Sequence, residues 1–273
     1  MQLIDFDGLF DEKLAQYIEQ NKEKYTEKQW EDVIPRLYKK FGDTKIAKIG
    51  CTPKEYYQRM TNEELVQTLG QHLEKDVPVP EFLCNELENR EVTKELLSLL
   101  NTDECVVANY VVNLIGQDSL AYDTYFEILE AERFDEELRS DVTDVLRSDA
   151  DKVKGKAIEL WSKGKGGDNM LEILSRVKER DEAVYDTLLK AFIAAEDAQS
   201  ALCAGYLAAY GDERALPYLL RRIEDRSIGF VEFQELKYAI EALGGEYNEP
   251  RDFTADKDYL AIEAATSKTE TKS

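Results

Sequence analysis

The sequence predicts an all-α protein: an α-solenoid of about five short helical hairpins, wound right-handed and preceded by an N-terminal helical cap. Three observations predict it. Leu, Ala, Glu and Lys dominate, and only 6 Pro and 14 Gly occur in 273 residues, a composition that favours helix over nearly the whole length. Four aspartates, Asp118, Asp149, Asp181 and Asp212, recur at steps of 31, 32 and 31 residues. At offsets +4, +7, +8 and +11 each is followed by a stripe: Tyr122, Tyr125, Phe126, Leu129; Val153, Lys156, Ala157, Leu160; Tyr185, Leu188, Leu189, Phe192; Leu216, Leu219, Leu220, Ile223. Fifteen of these sixteen positions are apolar in a chain that is 43% hydrophobic. A capping aspartate followed by such a stripe starts an amphipathic helix, and the constant step makes the helices members of a repeat.

Residues 1–77 form the predicted cap. Between Asp11 and Tyr25, Leu14, Tyr17 and Ile18 recur at helical spacing. From Lys28 to Phe41, Trp30, Val33, Ile34, Leu37, Tyr38 and Phe41 form one stripe, and Gly42 is expected to end that helix. Thr52-Pro53-Lys54-Glu55 is a capping box with proline at the first helical position. Thr61-Asn62-Glu63-Glu64 is a second one, leading into Leu65, Val66, Leu69 and Leu73. Val77-Pro78-Val79-Pro80 breaks the pattern, which places a boundary there.

Residues 78–245 are the predicted repeat region. Helices are expected over 81–89, 91–101, 103–116, 118–131, 135–147, 149–163, 168–180, 182–196, 198–210, 213–225 and 229–243. Two short helices per unit, joined by turns of a few residues, cannot bury an apolar stripe alone; stacking successive hairpins does. Lys156 holds a stripe position and must lie at an edge with its ammonium in water. The run Lys163-Gly-Lys-Gly-Gly-Asp168 reads as a flexible turn. Residues 246–273 are an extension, with one further short helix over Asp256–Ala265 and a polar tail, Thr266–Ser273, expected to be disordered.

Gly211-Asp212-Glu213-Arg214-Ala215-Leu216-Pro217-Tyr218-Leu219-Leu220 resembles the opening of a HEAT-like repeat, and Glu235-Leu236-Lys237-Tyr238-Ala239-Ile240-Glu241-Ala242-Leu243-Gly244 resembles the second helix of that unit. Pro217 is tolerated because few backbone N–H groups in the first turn have helical partners. The match covers residues 197–245 and fades back to about 90; residues 1–77 resemble no familiar family. The resemblance implies a curved stack whose second helices line the concave face, and a binding scaffold rather than a catalyst.

Charge narrows the partners. The net charge is −22, from 35 basic and 57 acidic residues. Residues 1–77 hold 15 acids and 12 bases, whereas residues 78–273 hold 42 acids and 23 bases, a net of −19. Binding nucleic acid through its phosphates needs a basic surface, so this balance argues against it. Acidity of this order keeps a helical protein soluble and also suits a basic protein partner. Cys51, Cys84, Cys105 and Cys203 form no CxxC pair, and Cys105 and Cys203 sit in apolar runs as small core residues. The N-terminus lacks a signal-peptide pattern, and no stretch approaches the ~18 apolar residues of a membrane span. A reducing cytoplasm is the expected compartment.

Residue types that carry chemistry are sparse. His72 is the one histidine, placed near a helix end where it is expected to meet terminal carbonyls. Cys51, His72 and Cys84 are separated by 21 and 12 residues, which matches no common zinc spacing. Asp5-Phe6-Asp7-Gly8 fails the calcium-loop pattern, and Gly164-Lys165-Gly166-Gly167 lacks the phosphate-loop spacing. Neither a cofactor nor a metal is predicted. Tyr122, Tyr125 and Tyr185 read as core, and Tyr38, Tyr56 and Tyr57 as core or as partner anchors.

The function expected from all this is a non-enzymatic interaction module presenting an acidic curved surface to a basic protein. Helix phase puts Asn109, Asn113, Asp141, Asp144, Glu232, Glu235 and Tyr238 on the less apolar sides of second helices as candidate partner-binding residues. A sharper version is an inhibitor or immunity-type protein masking a basic nuclease or toxin. The alternative is an enzyme or small-molecule binder using a groove between cap and repeats, near Tyr56, His72 and Glu64.

Overall fold

The computed structural model describes residues 3–270 and is all-helical: among these residues sixteen α-helices and three short 3-10 turns occur, and no strand. The chain divides into two compact units, Met1–Thr124 and Tyr125–Ser273. The Val77–Pro80 break lies inside the first unit, between two of its helices.

The first unit contains α1 (Phe6–Gln20), α2 (Glu27–Gly42), α3 (Pro53–Gln58), α4 (Asn62–Glu74), α5 (Glu81–Glu88), α6 (Thr93–Leu97, continued as a 3-10 turn over Ser98–Asn101) and α7 (Cys105–Ile115). Both expected capping boxes form. Thr52 Oγ accepts from Glu55 N at 3.1 Å while the Glu55 carboxylate accepts from Thr52 N at 3.0 Å; Thr61 and Glu64 do the same at 3.2 and 2.9 Å. Each box satisfies two otherwise orphaned donors of a first turn. Gly42 does not terminate α2 as a left-handed cap. It is the last helical residue, with Asp43 as C-cap, and its role is close approach, because a Cβ there would stand 2.5 Å from Phe82 Cε1. Arg90 ties α5 to the α3–α4 corner: its guanidinium donates to Met60 O at 2.7 Å and Gln58 O at 3.1 Å and pairs with Glu86 at 2.7 Å.

The division between the units falls within α8 (Tyr122–Glu130). The second unit continues with α9 (Glu136–Ser148), α10 (Ala150–Ser162), α11 (Gly167–Leu174), α12 (Glu182–Ala194), α13 (Asp197–Tyr210), α14 (Leu216–Ile223, after a 3-10 turn at Glu213–Ala215), α15 (Phe230–Ala242) and α16 (Lys257–Glu270). α10 packs on α11, α12 on α13 and α14 on α15, while α9, α11, α13 and α15 stand in a row, each against the next. Of the sixteen stripe positions, all except the exposed Lys156 are buried or half-buried. α16 carries helix through Glu270, over the first part of the segment expected to be a disordered tail; residues 271–273 lie outside the described residues.

The periodic aspartates do cap, with one exception. Asp118 accepts from Leu120 N at 3.0 Å, Asp181 from Ala183 N at 2.9 Å and Asp212 from Arg214 N at 3.0 Å. Asp149 is at once the C-cap of α9 and the N-cap of α10, with φ −116° and ψ 30° rather than an extended conformation. Its carboxylate pairs with Lys152 at 2.6 Å instead. The expected helix over 168–180 stops at Leu174, because the Asp151 carboxylate takes the N–H groups of Lys178 and Glu179 at 3.1 Å each.

Polar bonds between residues about one step apart brace the units. In the first, Thr93 donates to Asp118 at 2.6 Å. In the second, Lys154 pairs with Asp181 at 2.9 Å and Arg214 with Glu182 at 3.0 Å. Tyr210 Oη accepts from Asp181 N at 2.8 Å and donates to Asp181 O at 3.1 Å. Arg251 closes the series, donating to Ile223 O at 3.1 Å and Asp225 O at 2.6 Å while its guanidinium covers the Phe233 ring.

Candidate functional site

The row formed by α9, α11, α13 and α15 carries an open groove of about 500 Å³. Its floor is one face of α13, where Ala198, Ala201, Gly205 and Ala209 recur at helical spacing. Small side chains on that face keep the groove open, and a Cβ at Gly205 would meet nothing within 4 Å. One wall holds Arg147 of α9, which pairs with Glu172 of α11 at 2.6 Å and with Asp144 at 2.7 Å, and also Arg176. The other wall holds Glu235 of α15. Among the described residues no cation lies within ion-pair distance of Glu235. Leu202 projects from the floor, 42% exposed. Tyr206 lines the groove, and burial pushes its phenol pKa well above the ordinary value. One turn beyond Glu235, Tyr238 is 67% exposed.

The seven predicted residues are distributed unevenly over this geometry. Asp144, Glu235 and Tyr238 lie on α9 and α15, at or beside the groove walls, and Asp141 is half-buried one turn before Asp144. Glu232 does not face outward. It is buried, and its carboxylate accepts from Arg222 Nε at 2.6 Å, while the neighbouring Val231 is exposed instead. Asn109 and Asn113 belong to α7 in the first unit and bond to each other, Asn113 Nδ2 donating to Asn109 Oδ1 at 2.9 Å. The groove floor and Leu202 escaped the sequence reading, because alanine and glycine within a helix carry no polar signal. The small-residue spacing along Ala198–Ala209 was the one clue.

In the first unit a cavity of about 620 Å³ lies among α2, α3 and α5. Tyr38 and Phe82 stack within it, ring centres 4.7 Å apart. Lys39 and Lys54 come from one side, and Glu81, Asn85 and Asn89 from α5. Tyr56, His72 and Glu64, the residues expected for a chemical site, do not line it. Tyr56 packs edge-on against Phe6 and Tyr57, and Glu64 is held in its capping box. His72 is fully buried rather than set among terminal carbonyls, and neither ring nitrogen has a hydrogen-bond partner. The four cysteines are free. Burial raises the Cys203 thiol pKa to about 11 and also raises that of Cys84, so neither offers a ready thiolate. Among the described residues no group of three or more His, Cys, Asp or Glu side chains is placed to hold a metal ion, and no helix is long and apolar enough to cross a membrane. No protein-family model, curated protein or solved structure matches the chain.

Proposed function

We propose that the protein is a non-enzymatic interaction module whose second unit grips a basic segment of a partner protein in the groove of α9, α11, α13 and α15. The observation that carries this reading is the combination in one groove of an unfilled floor at Gly205, an exposed apolar anchor at Leu202 and Glu235 without a cation, with the exposed Tyr238 one turn further along α15. Aromatic and aliphatic anchors supply affinity, and Glu235 takes a basic side chain of the partner on its own wall, across from Arg147 and Arg176. We further propose that the hairpins are HEAT-like units of an α-solenoid, with the second helices as the binding face. Bonds repeating at about one step, from Lys154–Asp181 to Glu182–Arg214, support that architecture. Four free thiols support a reducing, cytoplasmic setting.

A helical peptide with a leucine stripe flanked by lysines three or four positions away tests the reading. It is expected to bind at about 0.05 M salt and to weaken markedly at about 0.5 M, where screening shortens the reach of charge. Gly205→Trp, which fills the groove from an open position, and the pair Glu235→Lys with Tyr238→Ala are each expected to cost about tenfold or more in affinity. Binding that ignores both variants, or a glutamate-bearing peptide preferred at this groove, would sink the proposal.

A further inference from the structure

A second surface, in the first unit, has the opposite chemistry. Between α1 and α2 lies a slot of about 160 Å³ lined by Phe10, Leu14, Tyr17 and Leu37. That volume is close to a cavity able to hold one benzene ring, so it admits one leucine or phenylalanine side chain. Lys13 and Lys40 stand at its rim, and no acidic residue lines it. In a chain with 57 acids and 35 bases this is unusual. Among the described residues no carboxylate lies within ion-pair distance of Lys13, Lys39 or Lys40, so the slot meets a partner with its positive charge uncompensated. Lys39 and Lys40 lie in the last turn of α2, where the helix dipole favours cations. Lys13 is mid-helix in α1, and its ammonium sits 4.9 Å from the centre of the Phe41 ring. Leu14, Tyr17 and Leu37 are only partly buried although α1 and α2 pack together.

We infer that this slot docks an acidic amphipathic helix of a partner protein, one apolar side chain entering between α1 and α2 while flanking carboxylates reach Lys13 and Lys40. An anchor with acids three or four positions away presents both groups on one helix face. A basic helix meets repulsion from the same lysines.

The full chain carrying Trp161→Phe leaves Trp30 as the sole indole; it packs edge-on against Tyr17 at 6.2 Å and so reports on the slot. Two synthetic helices serve as probes, one Leu/Glu and one Leu/Lys. The Leu/Glu helix is expected to shift Trp30 emission to saturation. Lys13→Glu with Lys40→Glu should weaken it by about tenfold or more, and Lys13→Arg with Lys40→Arg should preserve it. Circular dichroism confirms that the charge-reversed chain is folded. Unchanged affinity in that chain, or tighter binding of the Leu/Lys helix at Trp30, overturns the inference. So does a homodimer seen by sedimentation that the same reversal dissociates, since the occupant is then a second copy. The pair Glu235→Lys with Tyr238→Ala, which adds no indole, should leave the Trp30 signal unaltered, which separates failure here from failure of the groove in the second unit.

Discussion

The α1–α2 pair and the α12–α13 pair read alike as sequence, each helix carrying an apolar stripe, yet they bury very different amounts. α12 hides Val184, Tyr185, Thr187, Leu188, Ala191 and Phe192, and α13 hides Ala201, Cys203, Ala204 and Leu207. α2 is longer and hides only Phe41 and Gly42, while α1 hides only Phe6 and Phe10. Neighbours account for the difference. α12 packs on α10, α11 and α13, and α13 on α11, α12 and α15, whereas α2 packs lightly on α1 and α3 and meets α5 through the ring of Phe82. A stripe specifies that a helix forms and which face is apolar; the number of helices against that face decides how dry it becomes.

The largest test of this contrast removes comparable leucines from the two places. Leu188→Ala should cost about 2–5 kcal/mol by urea unfolding, and Leu37→Ala less than about 1 kcal/mol; equal costs would erase the distinction. Asp212→Ala should cost about 1–2 kcal/mol in thermal unfolding, from loss of the cap on Arg214 N. Asp212→Asn, which keeps an acceptor, should cost less. Gly205→Ala should stabilise the second unit by about 0.5–1 kcal/mol, because the new methyl group enters open space and helix propensity improves. A loss of stability there would mean that the groove floor is packed.

The smallest expected effect is a difference in response to acid. Hydrogen bonds from Arg214, Lys154 and Thr93 hold Asp212, Asp181 and Asp118 below the usual carboxylate range. A lowered folded value contributes stability above the unfolded value of ~3.9 that disappears as pH falls through the folded value. Asp7, which accepts from Tyr38 Oη at 2.7 Å, is shifted upward, mainly by burial. Its sign is opposite: the ionised form is the disfavoured one, and acid relieves it. Asp7→Asn is therefore expected to stabilise slightly at pH 7 and not at pH 3, measured by denaturant midpoints. A loss at pH 7 would show that the Tyr38 bond outweighs desolvation.

Much of the helical order was legible because its causes are local. The capping boxes at Thr52 and Thr61, the caps at Asp118, Asp181 and Asp212, and the stripes beneath them all act within one or two turns. The departures come from bonds that join distant residues. Asp151 stops α11 from 27 residues upstream, and Arg222 draws Glu232 inward and leaves Val231 outside. Gly42 reads as a helix terminator, but its role is set by Phe82, forty residues later. The candidate surfaces were harder still. The groove is made by what Ala198, Ala201 and Gly205 lack, and the slot depends on no carboxylate reaching Lys13 or Lys40.

The braces also bear on how the chain is made. Lys154–Asp181, Glu182–Arg214 and Asp225–Arg251 each join residues only 26 to 32 positions apart. Contacts of such short span need little loop closure. Each brace can close once the ribosome has released the next thirty or so residues, so the second unit can assemble from its N-terminal side during synthesis rather than wait for the finished chain.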